Sequence, residues 1–170
     1  MRAAAMLLAA WVALGANSTA SPQADADANR TLEQAILLSG VPRSILHVEL
    51  VARLDAAASA DAEAWTTRDE EGRAERILVY TNSQVFRCAN RPHSRWQCVL
   101  KLASIIVHEA THLRGLREAD AYAEQLAFLR LRDASGEMLS GVEKARKHAL
   151  ARERLSIDRA RSVALRAEHR

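Results

Sequence analysis

Cysteine, long apolar runs and net charge are all scarce in this chain, and each shortage removes a class of function. Only two of the 170 residues are cysteines, Cys88 and Cys98, and they do not form a C-x-x-C pair. A cysteine-based zinc module is thereby excluded, and a metal site joining them to His93 has the wrong spacing. The same lack disposes of His47-x-Glu49, the H-x-E half of a zinc deaminase signature. The longest uncharged apolar stretch, Ala3 to Ala16, is too short to cross a bilayer, and no cysteine close behind it can carry a lipid anchor. The formal net charge is +3, too small to argue for nucleic acid as a partner. Nine Lys/Arg against four Asp/Glu from Gly141 to Arg170 make that stretch basic, but the interspersed acids read as a solvated helix face.

What is present begins with an export pattern. Arg2 precedes the apolar run, and Ser18-Thr19-Ala20 supplies small residues for cleavage, so residues 1–20 read as a secretory signal. The Ala/Asp-rich stretch 21–30 is expected to be a disordered linker, leaving 31–170 as a single domain of ordinary size. The expected destination is periplasmic or secreted, with no transmembrane segment once the signal is removed. Cys88 and Cys98, with nine residues between them in a loop-like interval, fit that compartment. A disulfide closing so short a loop contributes about 3 kcal/mol in the chain-entropy account.

The chemistry lies in His108-Glu109-Ala110-Thr111-His112, an H-E-x-x-H run amid Leu100, Leu102, Ile105, Ile106, Val107 and Leu113. Histidines four apart on a helix are about 40° apart around its axis and about one turn along it, so both imidazoles reach one ion. Glu109 points to the side. From there its carboxylate reaches a water rather than the metal, which is the place for a general base. A buried pair of this kind with no metal leaves three polar groups seeking partners. That argues against a merely structural pair of histidines.

Gly115 follows, able to take the left-handed conformation that ends a helix, and Glu118 comes three residues later. His108 to Glu118 thus has the form H-E-x-x-H-x-x-G-x-x-E. This resembles the metzincin zinc peptidases, which break the motif helix at that glycine and take the third ligand from the position of Glu118, although His or Asp is usual there. A methionine turn is also expected of that class, but Met138, the only later methionine, reads as part of a flexible Gly/Ser linker. A second resemblance is to small bacterial zincin-like proteins in which the motif is followed by E-A-x-A-Y-x-x-Q, here Glu118 to Gln125. Asp120 and Glu124 rival Glu118 as oxygen ligands. Tyr122 and Gln125 share a helix face with Glu118, whereas Asp120 does not, which favours Glu118. Tyr122, Arg114 and His148 are candidates for stabilising an oxyanion.

The remaining pattern is mostly helical. Thr31-Leu32-Glu33-Gln34 is a capping box opening a helix to Gly40, and Pro42 starts another to about Ala60. Glu70 to Arg73 is a turn. Ile77–Thr81 and Gln84–Cys88 flank Asn82-Ser83 as a hairpin. Helices follow from Gln97 to Arg114, from Glu118 to Arg132 and after Val142. The expected fold is α+β, mostly helical and, by the resemblance, zincin-like, with a small antiparallel sheet over the motif helix. Ile77–Thr81 is the expected edge for pairing with a peptide.

The function expected from these readings is exported, zinc-dependent hydrolysis of peptide or protein substrates. His108, His112 and Glu118 hold Zn²⁺ and Glu109 is the base. The alternative is a zinc-holding but inactive envelope binding module.

Overall fold

The computed structural model describes residues 22–52, 62–93 and 96–168. The expected signal, 1–20, lies outside them. In chain order come α1 (Pro22–Ser39), a 3-10 turn (Arg43–Ile45), β1 (Val48–Val51), β2 (Ala64–Arg68), β3 (Ala74–Tyr80), α2 (Gln84–Ala89), α3 (Trp96–Leu113), α4 (Glu118–Leu131) and α5 (Gly136–Glu168). The fold is α+β and mostly helical. Among the described residues no helix is long and apolar enough to cross a membrane.

The three strands form one sheet in the order β1-β3-β2, β3 pairing parallel with β1 and antiparallel with β2. The sheet is therefore mixed rather than antiparallel. β3 is paired on both sides, with Ile77 and Val79 of its one face fully buried, so the strand expected at the edge is the central one. The free edges among the described strands are those of β1 and β2. The turn at Glu70 to Arg73 joins β2 to β3, with Gly72 at φ 78° and the Asp69 carboxylate accepting from the Arg73 N–H at 2.8 Å.

Several expected elements are replaced. Gln84–Cys88 is helical rather than a strand, because Ser83 caps α2 by accepting from the Phe86 N–H at 3.1 Å. Val85, Phe86 and Ala89 then fall on one buried face, which a strand would split between two. In place of a helix from Pro42 to about Ala60, Leu46, Val48 and Leu50 alternate inward with period two and pack on the core, so this stretch forms β1; residues 53–61 lie outside those described. Helix α1 starts at Pro22, so the stretch expected to be a disordered linker is helical from there on. Thr31 caps nothing. Mid-helix, its hydroxyl donates to the nearer acceptor, Asn90 Oδ1 at 2.7 Å, and lies 3.0 Å from the Asp27 carbonyl. Met138 lies inside α5, whose start Ser135 caps by accepting from the Met138 N–H at 3.3 Å.

Helix α3 is the hub. On one side it packs with the sheet, α1 and α2 around Phe86, Leu102 and Ile106, and on the other it meets α4 and α5 around Leu100, Leu126, Leu129 and Val142. Gln125 donates to Ser104 at 3.1 Å across the buried α3–α4 seam. The disulfide Cys88–Cys98 ties α2 to the first turn of α3, and such a bond fits an oxidising compartment.

Candidate metal centre

His108 and His112 stand on the last turns of α3, where both rings are largely buried. The helix stops because Gly115 takes φ 78°. Its N–H donates to the His112 carbonyl at 2.9 Å and the Leu116 N–H donates to the Thr111 carbonyl at 3.3 Å, the paired bonds of a Schellman ending. The chain then turns back, and α4 begins at Glu118. Its carboxylate meets both imidazoles, Oε2 lying 3.5 Å from His108 Nε2 and Oε1 lying 3.6 Å from His112 Nε2. The three side chains form a group able to hold a metal ion, with one donor atom from each within 4.8 Å of the others.

The surroundings orient these donors. His112 Nδ1 faces the Leu116 carbonyl at 3.0 Å, which places a proton on Nδ1 and leaves the Nε2 lone pair toward Glu118. His108 Nδ1 is buried with no hydrogen-bond partner among the described residues. Contact with His108 holds the Glu118 carboxyl below its ordinary range against the opposing effect of burial, with His112 and Arg152 adding to the lowering. Tyr122, one turn along α4, stacks edge-on to His108 with ring centroids 4.5 Å apart. Burial, and then the charge of Glu118, push its phenol up.

Glu109 is buried and belongs to a different connection. Its Oε2 accepts from Thr66 Oγ1 of β2 at 2.6 Å, fixing the carboxylate beside the histidines without joining the group of three. His108, Glu109, Glu118 and Tyr122 line one cavity of about 1230 Å³, whose other walls include Trp65 of β2 and Arg152 of α5.

The other expected residues are placed elsewhere. Asp120 accepts from the Arg117 N–H at 3.4 Å, capping α4. Glu124 accepts from Thr111 Oγ1 at 3.0 Å and also pairs with Arg114, so neither Glu124 nor Arg114 faces the centre. His148 is exposed on α5 and does not line the cavity. Sequence reasoning missed Thr66, the Leu116 carbonyl and Arg152. The first and last come from elements distant along the chain, and neither carries a motif. No protein-family model matches the chain, and no curated protein or solved structure is significantly similar to it.

Proposed function

We propose that this chain is an exported zinc peptidase of the zincin type, acting on peptide or protein substrates in the periplasm or the medium. His108, His112 and Glu118 hold the Zn²⁺. The observation that carries this reading is the convergence of three donor atoms, one from each residue, within 4.8 Å of one another. Donors arranged tetrahedrally about 2.0–2.2 Å from one ion stand about 3.3–3.6 Å apart; here one Glu118 oxygen stands 3.5 Å from His108 Nε2 and the other 3.6 Å from His112 Nε2, so the carboxylate bridges the two imidazoles. Direct hydrogen bonds in their place would draw the atoms to about 2.7–3.2 Å. Two imidazoles with one carboxylate also suit zinc better than calcium or magnesium, which favour all-oxygen sites.

A bound zinc supplies a Lewis acid that makes water acidic near neutral pH and polarises a carbonyl. The protein's own residues supply the rest. Glu109, with one oxygen held by Thr66, takes a proton from the attacking water and passes it to the leaving amine. Tyr122 donates its hydroxyl to the oxygen on which negative charge develops. The free edge of β2, carrying Thr66 and the partly exposed Trp65, takes the strand-pairing role for an extended substrate.

The test combines elemental analysis with hydrolysis of a mixed peptide library by the wild type and Glu109→Gln. We expect one zinc in both proteins, cleavage by the wild type, and a loss of at least about 10²-fold in Glu109→Gln, the low end for a positioned base. A folded, zinc-loaded wild type that cleaves nothing would favour the inactive binding module. Iron in place of zinc would redirect the reading, since two histidines and a carboxylate also serve iron oxygenases.

A further inference from the structure

Helix α5 reaches the cavity by a regular stripe. Met138, Val142, Ala145 and Ala149 follow one another at intervals of three or four, and Val142 and Ala149 are buried. The next position in that register is Arg152, which lines the same cavity as His108, Glu109 and Glu118. The neighbouring Glu153 pairs with Arg117 at 3.4 Å, pinning this turn of α5 beside the residue that opens α4. Arg152 thereby shares the cavity wall with Glu118 and Tyr122.

Arg152 forms no ion pair within bonding distance among the described residues. Lys101, another cation lining the cavity, is already paired with Glu63 at 3.1 Å. Arg91 also lines it, but from the segment that follows α2 rather than from α5. The carboxylates of Glu118 and Glu109 would balance the charge of a divalent ion, which would leave Arg152 without a countercharge among the described residues. A guanidinium is permanently charged and offers a planar fork of N–H donors that matches a carboxylate two bonds at a time. Such a group beside a hydrolytic centre selects substrates by charge.

We infer that Arg152 is a specificity-determining residue that docks a carboxylate of the substrate, an inference resting on the peptidase reading above. Two sources present that group: the free C-terminus of a peptide and the side chain of an internal Asp or Glu. Three fluorogenic peptides of otherwise equal sequence separate them, one ending in the free acid, one in the amide, and one in the amide with an internal glutamate. For zinc-loaded wild type, kcat/KM for at least one of the two carboxylate peptides should exceed that of the plain amide by at least about tenfold, the lower range for a charge-assisted bond. The preferred peptide identifies the source.

In Arg152→Gln that ratio should fall to near one, while the exposed neighbour variant Arg154→Gln keeps it. Calorimetric titration of acetyl-dialanine and of its amide into the zinc-loaded proteins gives a readout that needs no turnover. If the wild type cleaves nothing, the peptidase reading fails, yet a preference for the acid that disappears in Arg152→Gln still supports the carboxylate site. Equal handling of all three peptides by the wild type overturns the inference. So does a preference that survives in Arg152→Gln, because the carboxylate is then held by the metal or another cation.

Discussion

Thr66 Oγ1 donates to Glu109 Oε2 at 2.6 Å, joining the middle strand-pair residue of β2 to the residue between the two histidines. The same hydroxyl lies 3.2 Å from the Glu109 carbonyl, but it has one proton to give, and the carboxylate is the nearer acceptor. The bond fixes which carboxylate oxygen remains for chemistry. Thr66→Val removes the donor at nearly constant volume, so kcat should fall about tenfold, the scale of one bond to a charged group, with zinc content unchanged. Thr66→Ser should restore most of the rate. Equal loss in Val and Ser variants would mean that Thr66 matters only through packing.

Zinc content should sort the three acidic rivals. Glu118→Ala is expected to lose the metal, because Glu118 alone among them faces both imidazoles. Asp120→Ala keeps it and loses about 1 kcal/mol of stability with its helix cap. Glu124→Gln also keeps it, but weakens the tie to Thr111 and Arg114, a half-exposed pair worth at most about 1 kcal/mol. Elemental analysis and thermal unfolding on all three measure this. A fully loaded Glu118→Ala would remove Glu118 from the ligand set.

What the sequence revealed was local. The histidine pair, the break at Gly115 and the return of α4 at Glu118 span eleven residues, and spacing within one helix and one turn determines where they point. The Cys88–Cys98 bond is nearly as local. Thr66 and Arg152 were illegible because a threonine in a strand and an arginine on a basic helix gain their roles only when the sheet and α5 fold onto α3 and α4. The misread elements failed for a related reason. Val85, Phe86 and Ala89 fit a helix as readily as a strand until the Ser83 cap is considered, and the period-two run Leu46, Val48, Leu50 was hidden by the helix start that Pro42 suggests.

The disulfide between Cys88 and Cys98 borders the same cavity as His108 but supplies no member of the candidate metal group. Cys88→Ser with Cys98→Ser should therefore cost about 3 kcal/mol, a fall of roughly 6–12 °C in Tm for a domain of this size, while the zinc stoichiometry stays at that of the wild type. Calorimetry and elemental analysis of the purified double variant check both parts. Loss of zinc at a temperature where the variant is still folded would show that the bond also shapes the centre.

Gly115 offers the sharpest test of how the turn builds the site. Its φ is 78°, and a Cβ added there meets no atom within 4 Å, so alanine is opposed by backbone conformation alone. Left-handed backbone costs a side-chain-bearing residue about 1–2 kcal/mol, and asparagine pays less because its amide bonds locally. The turn also delivers the Leu116 carbonyl to His112 Nδ1 at 3.0 Å. Strain in it should therefore weaken zinc binding, by about tenfold if that outer bond is loosened. Gly115→Ala is expected to lose both stability and zinc affinity, with Gly115→Asn intermediate, as read by denaturant unfolding of the metal-free protein and by competition with a chelator. Wild-type affinity in a destabilised Gly115→Ala would separate the two effects and leave His112 oriented by α3 alone. Wild-type values for both would mean that the turn tolerates alanine in another conformation, and that the glycine is not what aims Glu118 at the histidines.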